Sequence, residues 1–171
     1  MNTAALFTAI TALLQPIPAI GQVWDRKRFH VPAERHREVW GITDPDNDRG
    51  WSVRVWHCYR MGFTAQFRDV GNAITSWVHH VRLVGWWEID DAGDSTAQYR
   101  NVLDALVVVF ANQLALEAVA SGFDAPSLVT ESELAIAEKY DCHVLELAMD
   151  VRQRRNILAD EEVLLPTGGY S

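Results

Sequence analysis

The sequence predicts a single α+β domain in which a mainly antiparallel sheet packs against two main helices, in the order α-β-β-α-β-β. Two stretches carry apolar residues at helical spacing, and four others alternate apolar with polar residues as strands do. The strands are neighbours joined by hairpin-length connections, which favours an antiparallel sheet over a parallel, doubly wound one. A chain of 171 residues, 49% hydrophobic and 22% charged, is long and apolar enough to bury its own core.

The N-terminal segment predicts an amphipathic helix over residues 3–15, which Thr3 caps and Pro16 must end. Residues 22–38 then predict a short strand or an extended arm. They hold a local basic cluster in a chain of formal net charge −8: Arg26, Lys27, Arg28, Arg35 and Arg37. Because the rest of the chain is acidic, this cluster predicts a docking surface.

The middle of the sequence predicts a hairpin. Residues 43–50 are dense in turn formers and predict an exposed loop. Period-two alternation over residues 51–60 and again over residues 77–89 predicts two strands that pair across a connection at residues 61–76.

The second half predicts the long helix and the closing strands. Ser95 and Gln98 have the spacing of a capping box, and an apolar stripe follows until Gly122, which is placed to end the helix. Two extended segments come next, residues 128–140 and 142–152. The domain therefore spans residues 1–155, and residues 156–171 form a flexible C-terminal arm that orders only on contact.

Catalytic signatures are missing from the sequence. It contains no Gly-rich phosphate loop, no HExxH helix and no nucleophile elbow, so we expect no enzyme and no cofactor. Cys58 and Cys142 form no CxxC pair, which fits a reducing compartment rather than a disulfide framework or zinc knuckle. Residues 1–20 lack a basic leader and contain two prolines, so we expect neither a signal peptide nor a membrane span.

Metal binding stays open as an alternative. Asp44, Asp46 and Asp48 superficially resemble a calcium loop, but Arg49 and Val55 occupy the positions that need Gly and Glu, which favours a solvated turn. A small metal-binding protein or enzyme could instead use four soft donors, namely His57, Cys58, His79 and Cys142. Adjacent strand residues point to opposite faces, so at most one member of each pair (His57-Cys58, His79-His80, Cys142-His143) can reach a shared site.

Two further candidate catalytic pairs can be judged only from the distances between their side chains, which a sequence does not give. A Cys58/His nucleophilic pair and a Glu131/Glu133 acid–base pair are conceivable, although the glutamates share a strand face typical of a solvated surface. Trp86 and Trp87 lie on opposite faces of their strand. Either one indole lies at an interface or the fold covers both faces of the sheet and buries both rings.

Three strings give the chain a resemblance to a known family: residues 79–91 (HHVRLVGWWEIDD), the helix opening near Ser95, and residues 142–152 (CHVLELAMDVR). Over residues 3–155 the chain resembles the tail terminator and head-to-tail joining proteins of long-tailed bacteriophages. The resemblance implies a virion protein at the tail–head junction, assembled in the host cytoplasm without a cofactor. It also implies a ring, usually hexameric, that caps the tail tube, ends its polymerisation and meets the head connector or stopper protein.

The ring interpretation predicts interface residues and leaves alternatives. The basic and aromatic candidates for the subunit interface are Arg26, Lys27, Arg28, Arg35, Arg37, Trp86, Trp87, Arg152, Arg154 and Arg155. An acidic lumen would let DNA pass without specific binding. Residues 22–50 and 156–171 depart from the family pattern, which leaves another neck component, a stopper or completion protein, as an alternative. A cytosolic module that binds peptides at a sheet edge is a third hypothesis.

Overall fold

The computed structural model describes residues 3–69, 74–90, 94–111, 122–124 and 126–156. Three α-helices lie in this part of the chain: α1 (Thr3–Leu14), α2 (His36–Trp40) and α3 (Ser95–Ala111). The strands are β1 (Gln22–Trp24), β2 (Gly41–Thr43), β3 (Trp51–Asp69), β4 (Ile74–Glu88), β5 (Gly122–Phe123), β6 (Ser127–Ile136) and β7 (Tyr140–Asn156). The predicted α+β class is confirmed.

One mostly antiparallel sheet organises these elements. Its order is β1-β3-β4-β7-β5, with β2 also pairing with β3 and β6 also pairing with β7. Only the β1–β3 pairing is parallel among the described strands. The element order is longer than the predicted α-β-β-α-β-β, because a 3₁₀ turn, α2, β1, β2 and β5 add short pieces that are too brief to show periodicity.

The central hairpin is longer than the sequence predicts. Residues 61–69 and 74–76, expected to connect two strands, instead continue β3 and β4 in an antiparallel ladder. A register shift between Arg60 and Gly62 interrupts the alternation there, and Phe63 is 48% exposed, so apolar and polar residues no longer sort onto a buried and a solvated face. The pattern that defines a half-buried strand therefore fades before the strand ends.

One face of the sheet, here called the helix face, is covered by α1 and α3. Leu6, Ile10 and Leu14 of α1 and Leu106 and Phe110 of α3 are buried in its core. From the sheet the core takes Trp56, Cys58, Leu83, Trp87, Leu145, Leu147 and Val151. Gly85 pairs with Trp56, and a Cβ there would lie 2.8 Å from the indole. The indole thus fills the space that a side chain on β4 would take.

The opposite face, here called the aromatic face, is covered by residues 25–40, here called the basic segment. Val39 and Trp40 pack with Val55, Trp86 and Tyr140 in a second core. Trp86 is the centre of a ring cluster, with centroid distances of 5.1 Å to Phe29, 5.2 Å to Trp40 and 4.9 Å to His57. The sheet therefore has two cores, one on each side.

The start of α3 differs in detail from the predicted capping box. Asp94 Oδ1 accepts a hydrogen bond from the Ala97 amide at 3.4 Å, and Ser95 Oγ accepts one from the Asp90 amide at 2.9 Å. The capping residue is thus Asp94, one position earlier than predicted. Gly122, predicted to end this helix, is the first residue of β5. Residues 112–121, which the prediction placed in the helix, lie outside the described residues. Of the predicted C-terminal arm, only Asn156 is described.

Candidate assembly surface

The basic segment is fixed to the sheet by directional hydrogen bonds. Trp24 Nε1 donates to the Val39 carbonyl at 2.8 Å, and Trp40 Nε1 donates to the Arg28 carbonyl at 2.7 Å. His36 Nε2 lies 2.8 Å from the Val31 carbonyl, which can only accept, so this nitrogen carries the proton. Its Nδ1 then accepts from the Tyr140 hydroxyl at 3.1 Å. Of the short strand or extended arm predicted for residues 22–38, residues 22–24 form the strand β1, and the rest is a packed cover.

The predicted basic interface residues lie on the outside of this cover. Arg26 is 3.9 Å from Asp25, and Arg35 pairs with Glu38 at 2.8 Å. Lys27 lies 4.3 Å above the Tyr59 ring, and Arg28 lies 4.6 Å above Trp24. Arg37 is exposed. These five cations share one region, as the sequence predicted.

The remaining predicted interface residues do not join that region. Trp86 and Trp87 are 7% and 2% exposed, one in each core, so the fold covers both faces of the sheet and neither indole is available to a partner. The prediction of these rings as interface residues is therefore wrong. Each is surrounded by its own chain, Trp87 with the Arg54 guanidinium 4.2 Å from its ring.

The C-terminal arginines lie elsewhere on the sheet. Arg152 forms a bidentate pair with Asp124, at 2.9 and 3.0 Å, toward the far end of β7. Arg154 and Arg155 follow on the same strand, and their side chains are outside the described part of the structure. Arg152 is eight residues along β7 from Val144, the partner of Trp86, or ~26 Å at about 3.3 Å per strand residue. The predicted basic interface residues thus lie at two separate sites, one in the basic segment and one on β7.

Sequence reasoning missed the free sheet edges. β6 pairs with β7 on one side, and no described residue pairs with its other side. β1 and β2 cover β3 only up to His57, so among the described residues the outer edge of β3 from Cys58 onward has no partner strand either. Two open edges therefore lie on opposite sides of one sheet, and only the pairing of strands reveals them.

The exposed apolar side chains concentrate near these edges. On β6, Leu128, Val129 and Leu134 are 57%, 46% and 53% exposed. On the far part of β3, Met61 and Phe63 are 58% and 48% exposed. Unpaired edges with apolar side chains are templates for pairing with another chain.

The two edges carry opposite charge. Glu131 and Glu133 lie on β6, which has no basic residue, and both are exposed. The far part of β3 carries Arg60, which is exposed, and residues 58–65 contain no acid. An edge of one copy is therefore electrostatically suited to the other edge of a second copy.

The four proposed metal ligands do not converge. Cys58 belongs to the helix-face core, while His57 packs on Trp86 and Cys142 packs in the aromatic-face core. His79 lies on the helix face but is four residues from Leu83, the partner of Cys58, or ~13 Å along the strand. The described residues contain no group of three or more His, Cys, Asp or Glu side chains placed to hold a metal.

Neither cysteine has the properties of a nucleophile. Both are fully buried, and burial raises the pKa of the Cys58 and Cys142 thiols well above the usual range. A thiolate is the reactive form, so a Cys58/His nucleophilic pair is not supported. Glu131 and Glu133 are exposed on β6, with Glu133 Oε1 3.6 Å from His143 Nδ1.

The acidic loop, residues 43–50, forms a local turn that the Arg49 side chain holds in place. Asp44 Oδ1 accepts from the Asp46 amide at 3.3 Å, which is the hydrogen bond of an Asx turn. Arg49 forms an ion pair with Glu88, and its guanidinium lies 4.7 Å from the rings of both Trp51 and Tyr140. The loop is thus anchored through Arg49, with Asp46 and Asp48 exposed.

Comparison with known proteins assigns no family. No protein-family model matches the sequence, and no curated protein is significantly similar to it. Among the described residues, no helix has the length and apolar character needed to cross a membrane.

Proposed function

We propose that this chain is a structural subunit of the phage tail terminator class, which forms a ring that caps the tail tube and joins it to the head connector. The observation that carries the proposal is the pair of open sheet edges, β6 on one side and the far part of β3 on the other. A long unpaired edge is a template on which a strand of another chain can pair. Two different edges on one subunit are what a head-to-tail contact needs.

Charge favours a ring over a simple pair. If β6 met β6 of a second copy, Glu131 and Glu133 would face their own counterparts, and like charges across strands are destabilising. If β6 met the far part of β3, these glutamates would approach a strand that carries Arg60. A heterologous contact of this kind forms a ring when the rotation from one copy to the next closes, and an open filament when it does not.

The remaining features of the proposal come from the family resemblance. It implies a hexamer, a tail-tube protein on one face and a connector or stopper protein on the other, at the tail–head junction of the virion. The net charge of −8 suits a lumen through which DNA passes without being held. Another neck component remains the second candidate, because neck rings share this geometry.

Mass photometry of the purified full-length protein tests the ring. We expect a closed oligomer that weakens at least tenfold in Glu131→Lys/Glu133→Lys, since the β6 edge then repels Arg60. Arg60→Glu should weaken it similarly, and combining the two edge reversals should restore assembly. Glu138→Lys makes one such charge reversal in the exposed turn beyond β6 and should have little effect.

The outcomes separate the possibilities. A wild-type chain that is monomeric at all accessible concentrations would overturn the proposal. A ring that forms but neither limits the length of polymerising tail tubes nor binds their ends would favour a different neck component. For this measurement, tube lengths are compared by negative-stain microscopy with and without the ring.

A further inference from the structure

An apolar cleft of about 690 Å³ opens on the aromatic face, between the basic segment and the end of β6. Phe29, Val31 and Pro32 form one wall, and Ile136 and Ala137 form part of the other. Trp40 and Trp86 also line the cleft, and both are almost completely buried in the second core. The shape suits an extended apolar peptide laid across aromatic rings.

The cleft is bordered by positive charge. A second cavity of about 370 Å³ lies along the same stretch, residues 29–32, and is lined by Lys27, Arg28 and Arg35. Lys27 and Arg28 lie over aromatic rings and form no ion pair with a described carboxylate. A peptide in which a run of apolar residues lies next to a run of acidic residues, in either order, would fit both cavities.

The chain itself contains a segment of this chemistry. Residues 157–171 read ILADEEVLLPTGGYS, with three consecutive acids at 160–162, three aliphatic residues at 163–165 and no basic residue. Resting on the proposed ring, we propose that residues 160–165 of one copy bind the cleft of the neighbouring copy. The aliphatic residues would contact the partly exposed side chains of Phe29, Val31 and Ile136, and the acids would lie beside Lys27 and Arg28.

Chain length argues that the occupant comes from a neighbour. Asn156 pairs with Ile74 at the far end of the sheet, whereas Trp86 pairs with Val144, twelve residues earlier on β7. That separation is ~40 Å at about 3.3 Å per residue. Leu165 is nine residues beyond Asn156 and reaches at most about 31 Å when fully extended. Residues 160–165 therefore fall short of the cleft in their own subunit.

Cross-linking between two tagged forms of the full chain tests this exchange. One form carries Ala135→Cys, at the cleft, and the other carries Leu164→Cys. The native Cys58 and Cys142 are fully buried and should not react. We expect a covalent dimer containing both tags, and a chain with both substitutions should give a ladder of multimers. Ala5→Cys, exposed on α1 of the helix face, replaces Ala135→Cys as the control and should give no dimer.

Two further variants connect the contact to assembly. Deleting residues 157–171 should weaken the oligomer at least tenfold while thermal unfolding of the monomer is unchanged. Leu164→Asp should reduce the two-tag dimer at least tenfold when the cysteine is moved to position 163, and Thr167→Asp should not. A ring that persists without residues 157–171 and yields no two-tag dimer would overturn the exchange but leave the ring intact. An intramolecular cross-link in the doubly substituted chain would also overturn it.

Discussion

The two faces of the sheet are stabilised by different physics. On the helix face, aliphatic and aromatic side chains from α1 and α3 pack against the sheet, and Tyr99 even buries a hydroxyl without a described hydrogen-bond partner. On the aromatic face, a highly charged segment is attached through rings and through the hydrogen bonds that join Trp24 to Val39 and Tyr140 to His36, while Trp40 and His36 also bond within the segment. The helix face depends mainly on buried area, whereas the aromatic face adds directional contacts to a buried core of its own.

This difference has consequences for how each face can change. Burial is non-directional, so the helix face loses stability in proportion to the area and cavity that a substitution creates. Directional contacts fail one at a time when a partner is removed or protonated. We therefore expect the aromatic face to respond more to small polar changes, while acid acts on a buried histidine of each face, His57 and His79. The aromatic face also borders the cleft proposed to bind the neighbour's arm.

The largest predicted effect is on the helix face. Trp56→Ala removes a fully buried indole that lies over Gly85, so no neighbouring side chain from β4 can fill the cavity. We expect the free energy of unfolding to fall by about 3–5 kcal/mol, measured by urea denaturation at fixed protein concentration. Val107→Ala, on an α3 residue that is 58% exposed, should change it by less than about 0.5 kcal/mol. A loss below about 1 kcal/mol for Trp56→Ala would show that the helix face is not the dominant core.

The same contrast explains which parts of the fold the sequence predicts. The stripe that includes Tyr99, Leu106 and Phe110 and the alternation in β7 both report burial against a large apolar layer, so α3 and the closing strands were predicted. The basic segment offers no period, because four charged residues lie between Phe29 and the adjacent pair Val39 and Trp40. Its attachment depends on tertiary hydrogen bonds, which no local pattern encodes.

The candidate site was predictable in part for a similar reason. Charge density located the basic segment, and alternation placed Glu131 and Glu133 on a solvated face, where the structure has them exposed. The prediction that Trp86 and Trp87 lie at an interface was wrong, because alternation places the two rings on opposite faces of the sheet but does not show what covers each face. The open edges depend on which strand pairs with which, a long-range property that lies outside sequence periodicity.

The second prediction concerns acid. His57 is fully buried against Phe29 and Trp86 on the aromatic face, and burial lowers the pKa of His57 to about 4. Above pH 6.5 the side chain is neutral in both the folded and unfolded states. As the pH falls from 6.5 to 4 the unfolded state takes up the proton first, so stability is lost over that window by about 3 kcal/mol.

His57→Phe should remove that part of the acid sensitivity. Burial also lowers the pKa of His79, so the wild-type curve contains both histidines and the difference between the two proteins isolates His57. The measurement is the free energy of unfolding from pH 7.5 to 4. If the two curves run parallel over this range, burial does not hold His57 neutral, and the aromatic face contributes no histidine-linked acid sensitivity of this kind.

The smallest predicted effect compares two tyrosines, one on each face. Tyr140→Phe removes the hydroxyl that donates to His36 Nδ1 and leaves that buried nitrogen unpaired, at a cost of about 1–2 kcal/mol in unfolding free energy. Tyr99→Phe removes a buried hydroxyl that has no described partner, so it should be neutral or slightly stabilising. Hydrogen exchange of the basic segment should accelerate in the first variant alone. Equal losses of unfolding free energy in both variants would mean that the two faces are held in the same way. The comparison depends on the hydrogen bond, because the Tyr140 hydroxyl has a described partner and the Tyr99 hydroxyl has none.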